Sequence, residues 1–181
     1  VGIEQRSSEL EYSLFLHLVS HPSDSNASRI LNTLADHRVE GIIWAIPEFD
    51  DNRAWLELAS LASFPPMVFL SAGPRTGFAT VSVDNRRGGQ LAAGHLLDQG
   101  RRRIGLIGGP PGWWESSQRQ AGWQDALLQA GLEPDPRRMI QADWSVESGA
   151  QAMQRLLERD PTIDAVFAAS DDIALGALTA A

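Results

Sequence analysis

The chain has 181 residues, 43% of them apolar, no cysteine, and a formal net charge of −8 from 23 acidic and 15 basic groups. This length suits one domain or two small lobes, and the apolar fraction is that of a globular protein, so disorder is not the starting assumption. The acidic balance argues against a face that grips a phosphate backbone, the missing cysteines exclude disulfides and thiolate sites, and the all-arginine basic set excludes Schiff-base and Walker-type lysines.

In chain order, a strand is expected over 12–19 and a helix over 26–37 carrying Ile30, Leu31, Leu34 and Ala35. Strands are expected at 39–46, 66–70 and 80–83, then a helix over 86–99 stopped by Gly100. A strand at 104–107 leads to a helix over 116–130, with Trp123, Leu127 and Ala130 on one face and Gly131 as its stop. A strand at 139–142 leads to the clearest helix, 146–157. There Val146, Ala150, Met153 and Leu157 share a face, Ser145 caps the start and Asp160-Pro161 ends it. A last strand is expected at 165–169. Apolar runs without strict alternation suit strands buried on both faces, and their alternation with helices predicts an α/β fold with parallel sheets.

Two charge clusters have ordinary readings. Arg101-Arg102-Arg103 follows a helix C-terminus and complements its dipole. Glu48-Phe49-Asp50-Asp51 reads as a solvated loop with a helix cap. No stretch approaches the ~18 apolar residues a membrane helix needs. The chain opens on Val1 with neither initiator Met nor signal pattern, so a fragment or mature product is expected.

Ligands of open parallel sheets bind outside the carboxyl ends of the strands. If the strands at 104–107, 139–142 and 165–169 are neighbours, that edge gathers Trp113, Trp114, Glu115 and Arg119, then Trp144, then Ser170, Asp171 and Asp172. Aromatic faces beside an arginine fork and carboxylates suit a small polyhydroxylated ligand. Each residue also has a plainer role. The tryptophans could pack loops, Arg119 could pair with Glu115, and Ser170 could cap a helix whose first turn holds both aspartates. Trp123 belongs to the core. The four histidines lack metal-ligand spacing, and no dinucleotide fingerprint or nucleophile elbow is present, so neither a metal nor a cofactor is expected.

The string Val81-Ser82-Val83-Asp84-Asn85, with Gly88-Gly89, Ala92, His95-Leu96 and Gly100, resembles the lactose-repressor (LacI/GalR) family of bacterial transcription regulators. The resemblance continues through Arg103-Ile104-Gly105-Leu106-Ile107-Gly108-Gly109-Pro110 and Arg119-Gln120-Ala121-Gly122-Trp123. It covers Asp143-Trp144-Ser145 and Asp164-Ala165-Val166-Phe167-Ala168-Ala169-Ser170-Asp171 as well. It implies an effector-binding core of two Rossmann-like lobes of the periplasmic-binding-protein type, here 1–84 and 85–181, both incomplete. Gly2-Ile3-Glu4 would lie inside the first helix, after a missing first strand. Missing strands would be supplied by pieces outside this chain, by swapping or by dimer contacts.

The same resemblance implies that Arg119 and Trp144 contact the effector, with Asp171, Ser170, Ser71 and Asp84 at or near the pocket. Glu115 stands where the family usually has a small hydroxyl residue, so Glu115 and Trp114 should shape specificity. The implied effector is a sugar or sugar derivative. The implied partners are operator DNA, through an absent helix-turn-helix headpiece, and a second copy in a homodimer, in the cytoplasm and away from the membrane. A solute-binding protein of a sugar transport system is the alternative, and an α/β enzyme the third reading.

Overall fold

A computed structural model describes residues 2–20, 26–58 and 64–181. Its strands form two three-stranded parallel sheets. The first has the order β1 (Ile42–Trp44), β2 (Met67–Leu70), β3 (Ala79–Val81), with Ile42 opposite Met67 and Val68 opposite Ala79. The second places β4 (Ile104–Gly108) between β5 (Met139–Gln141) and β6 (Ala165–Ala168). The helices are α1 (Gly2–Glu9), α2 (Ala27–Asp36), α3 (Trp55–Leu58), α4 (Asn85–Asp98), α5 (Trp114–Gln129), α6 (Val146–Arg159) and α7 (Asp171–Ala180).

β4 shows why an unbroken apolar run makes a central strand. Ile104 and Leu106 point to one face and join Ala93, Trp123, Ala126 and Leu127 of α4 and α5. Ile107 points to the other and joins Ala152, Met153, Leu156 and Ile173 of α6 and α7. All five residues of β4 are buried, as a strand sandwiched between two helix layers requires. Trp123 lies in this core, 1% exposed.

Glycines let the helices within each layer touch. A Cβ on Gly89 of α4 would overlap the Arg119 carbonyl of α5, and one on Gly122 of α5 would overlap the Arg86 carbonyl of α4. Gly149 and Gly176 meet the Ile173 and Val146 carbonyls in the same reciprocal way across α6 and α7. The Arg86 guanidinium then grips Asp125 with two bonds of 2.6 and 2.9 Å on the solvent side of the α4–α5 seam.

Caps fall where short polar side chains precede helices. Asn26, Asp84, Ser145 and Ser170 each accept a bond from the backbone N–H three residues on. Gly100 and Gly131, just past α4 and α5, take φ of +81° and +72°, as C-terminal stops do. The Arg102 side chain donates to the Leu97 carbonyl at the end of α4, in keeping with the dipole reading of that cluster.

Several expectations are corrected. Residues 12–19 form no strand, because nothing among the described residues pairs with them; Leu16 and Leu18 stand 77% and 80% exposed. The buried stripe of α6 is Gly149, Ala152, Met153 and Leu156, rotated from the expected one, because α7 crosses at Gly149. Ala35 and Ala130 face solvent at their helix ends. The first sheet is covered on one face only among the described residues. Trp44 and Phe69 pack with Ile30, Leu31 and Leu34 of α2, while Ile43 and Val81 remain exposed.

Asp160 ends α6 in a dense polar knot. It accepts from the Thr162 hydroxyl, the Arg138 guanidinium at 2.6 Å and the Thr162 N–H at 3.0 Å. Those bonds, the hydroxyl first, hold its carboxyl well below the usual carboxylate range. A depressed folded-state value contributes stability above the unfolded value of about 4 and loses it as pH falls below that. Thermal melts from pH 7 to pH 3 should therefore fall more steeply for the parent chain than for Asp160→Asn. Parallel pH profiles would overturn this reading.

Candidate functional site

β5, β4 and β6 are adjacent, so their carboxyl ends do gather one set of loops. Trp144 is fixed from below by its neighbours. The Asp143 carboxylate accepts from the Ser145 N–H at 2.8 Å and from the Ser148 hydroxyl, turning the chain into α6. The Trp144 indole rests on Gly109, where any Cβ would overlap the ring, so this close approach needs glycine. Trp113 meets it edge-on, with centroids 5.7 Å apart at 80°.

Arg119 comes up from the second turn of α5. Its Nε donates to Asn85 Oδ1 at 2.8 Å and its Nη1 donates to the Ala169 carbonyl. Its guanidinium carbon lies 6.0 Å from the Trp144 ring centroid. Asn85 is buried, and its Nδ2 is anchored on the Val83 carbonyl. A guanidinium has five N–H donors. Two are used to orient the fork, and three keep no protein partner among the described residues. The plainer alternative, a Glu115–Arg119 surface pair, does not form, and Glu115 is half-buried.

The facing wall comes from the first sheet. Ser71 follows β2 in the left-handed region, φ +52°, with its N–H on the Val81 carbonyl. The next turn brings Gly73 N–H to Glu48 Oε2 at 2.8 Å, while Arg75 pairs with Glu48 Oε1 at 2.9 Å. The loop carrying Glu48 is pinned from inside. Asn52 bonds both Phe49 N–H and the Pro47 carbonyl, and buried Arg53 donates to the Ile46 carbonyl beneath Trp44 and Phe69. Burial lowers the Arg53 guanidinium to about 10, so it stays charged at neutral pH.

Trp114 stands between the two walls, its indole against Gly73. Beside it opens a cavity of about 310 Å³ lined by Pro74, Ser82, Asp84, Asn85, Trp114 and Gln118. Asp84 spends one oxygen capping α4 at Arg87 N–H, 2.8 Å away. Thus Arg119 and Trp144 are brought together, and Trp114 and Asp84 share the cavity. Ser170 is the cap of α7, and Asp171 lies exposed on its first turn. No group of acidic, histidine or cysteine residues that could hold a metal occurs among the described residues. Nor is any described helix long and apolar enough to cross a membrane.

Sequence reasoning missed Glu48, read as part of a solvated loop, and the orienting role of Asn85. The contacts of Glu48 lie 25 and 27 residues away, at Gly73 and Arg75, where no local spacing signals them. Asn85 stood inside the resembling motif but carried no local mark of its bond to Arg119.

Two parallel α/β sheets, joined through a loop cluster of aromatic and hydrogen-bonding groups, define the class of two-lobed small-molecule-binding proteins. The family of periplasmic binding proteins and sugar-binding domains of the LacI family matches residues 1–181, and the chain belongs to it. It is 42% identical over 105 residues to the HTH-type transcriptional regulator CelR of Thermobifida fusca, covering 58% of this chain and 31% of that protein. It is 31% identical over 180 residues to the HTH-type transcriptional repressor PurR of Haemophilus influenzae, covering 99% of this chain and 52% of that one. Among solved structures, a CelR–cellobiose complex superposes with a TM-score of 0.82 at 32% identity, covering 99% of this chain and 54% of the other. A sugar-binding LacI-family regulator from Escherichia coli, complexed with phosphate, gives 0.83 at 26% identity, covering 99% and 64%. The chain thus spans about a third to a half of those two curated relatives.

Proposed function

We propose that this chain is the effector-binding part of a sugar-responsive transcription regulator, with lobes 1–84 and 85–181 and the effector between them. The observation that carries this reading is Arg119, oriented by Asn85 and Ala169 beside Trp144 with three donors unspent. A planar fork beside an aromatic face fits a sugar ring, whose apolar face stacks while its hydroxyls bond at the edge. Trp144 is the platform. Arg119 and Asp171 hold hydroxyls, Ser170, Ser71 and Asp84 complete the polar rim, and Trp114 and Glu115 set specificity. The regulator binds operator DNA through a helix-turn-helix region, as a homodimer, and effector biases the lobe arrangement. A transport solute-binding role is the weaker reading, because the relatives named above are transcription regulators.

Cellobiose is the first probe, since a similar protein is solved with it. Calorimetric titration with cellobiose, glucose, maltose and galactose should give saturable binding of at least one at micromolar to low-millimolar Kd. Heats of dilution alone across all four, with the protein folded, would overturn the sugar reading.

A further inference from the structure

Arg53 is a positive charge sealed in an apolar core. It is 1% exposed, and its guanidinium carbon lies over the Trp44 and Phe69 rings, 5.7 and 5.3 Å from their centroids. Trp55 closes the box, 5.0 Å from Trp44 and 6.4 Å from Phe69. The buried cluster around these rings consists of alanine, isoleucine, leucine, tryptophan and phenylalanine side chains, none with an acceptor oxygen. Arg53 spends its Nη2 on the Ile46 carbonyl. Its Nε and Nη1, and the indole Nε1 of both Trp44 and Trp55, are buried with no acceptor among the described residues. Glu48, the carboxylate that acts on Arg53 from a distance, is committed to the Gly73 N–H and to Arg75. No ion pair to Arg53 forms among the described residues.

The rings answer only part of this demand. They cover the flat of the guanidinium, whereas its N–H bonds lie in its plane and point outward from the edge. Buried polar groups are ordinarily bonded, and a buried charge is ordinarily paired. A water molecule would accept from the donors but must place two protons of its own. Every polar side-chain atom of Arg53, Trp44 and Trp55 is itself a donor. An anion only accepts, and it cancels the charge. We propose that Arg53, with the indole N–H groups of Trp44 and Trp55, binds a small, singly charged anion of the halide type in the core of the first sheet. One guanidinium neutralises one charge, and a divalent oxyanion would keep an unpaired charge among apolar rings. The site uses no residue of the Arg119–Trp144 platform, so it stands whether or not a sugar binds there.

Bromide is the probe, because it quenches tryptophan emission on contact. The whole chain is titrated with sodium bromide at constant ionic strength, made up with sodium gluconate, whose anion is too bulky for the box. Emission should fall along a saturable curve with a Kd of roughly 1–10 mM. Sodium chloride, a far weaker quencher, should restore the emission by displacing bromide. Exchanging gluconate for bromide at about ten times that Kd should raise the thermal midpoint by about 3–5 °C. Arg53→Met, of similar length and uncharged, should lose both the saturable phase and the midpoint shift. Trp55→Phe keeps the charge and a ring but removes one N–H, and it should weaken bromide roughly threefold or more. A linear fall in emission that chloride does not reverse in the parent chain shows collision at accessible tryptophans alone. That result overturns the site and needs no variant to fold. A saturable phase that persists unchanged in Arg53→Met or in Trp55→Phe puts the ion elsewhere and overturns it as well.

Discussion

Replacing Arg119 with alanine is expected to weaken binding of whichever sugar the chain takes by about 10- to 100-fold. Hydrogen bonds from a charged group contribute about 1.5–3 kcal/mol, and each 1.4 kcal/mol is a factor of ten. The same substitution should lower folding stability by about 1–3 kcal/mol. It strands buried Asn85 Oδ1 and the Ala169 carbonyl, and an unsatisfied buried acceptor costs that much. The two effects are separable. Arg119→Lys keeps a charge but loses the planar fork, so it cannot reach Asn85 and Ala169 and still present paired donors. It should recover little affinity while restoring part of the stability. Asn85→Ala should do the reverse: Arg119 keeps its donors, but the fork is no longer oriented, and affinity falls by less than in Arg119→Ala. Calorimetric titration and urea midpoints on the three variants decide the matter. Unchanged affinity in Arg119→Ala, with only stability reduced, would reassign Arg119 as a structural clamp between α4, α5 and β6.

How much of this was legible in the sequence depends on the range of each interaction. The parallel strands at 42–44, 67–70, 79–81, 104–108, 139–141 and 165–168 were visible as short, mostly apolar runs rich in β-branched residues, most plainly at 104–108, where burial on both faces leaves the run unbroken. The caps at Ser145 and Ser170 were visible because their bonds span three residues. The segment 12–19 has the same apolar character as the real strands and is not one. Composition states that a segment can pair, but a ladder also needs a partner, and that lies elsewhere in the chain. The rotation of the α6 stripe has the same origin, since periodicity locates a face but α7 decides which face is covered.

The site shows the same division. Trp144 and Arg119 could be placed on one sheet edge because strand order and loop position follow from topology. Glu48 could not, because acidic residues in a loop are ordinarily solvated, and nothing near Glu48 predicts the Gly73 amide or the Arg75 side chain. Arg53 is a sharper case. A lone arginine in a surface-like stretch turns out to be 1% exposed, stacked over Trp44 and Phe69 and holding the Ile46 carbonyl. Its hold on the chain leading to Glu48 is a consequence of tertiary packing alone.

Gly122→Val is expected to be among the most destabilising single substitutions in the chain, lowering stability by about 3 kcal/mol, the upper end of the usual cost of overpacking a tight interior. The reason is where the collision falls. At Gly122 a Cβ would overlap the Arg86 carbonyl and press on the Gln90 N–H of α4, and neither backbone group can rotate away as a side chain could. The reciprocal contact of Gly89 with the Arg119 carbonyl means that separating α4 and α5 to make room also shifts Arg119 against Asn85. The substitution should therefore reduce sugar affinity as well as stability. Gly88, immediately before Gly89 on α4, supplies the internal control. A Cβ there meets nothing within 4 Å, and alanine in a helix interior is favoured over glycine by roughly 0.5–1 kcal/mol. Gly88→Ala should thus raise the urea midpoint while Gly122→Val lowers it, with ligand affinity unchanged in the first and reduced in the second. A tolerated valine at 122 would mean that α4 and α5 do not approach as closely as their glycines allow, and the orientation of Arg119 would then need another source.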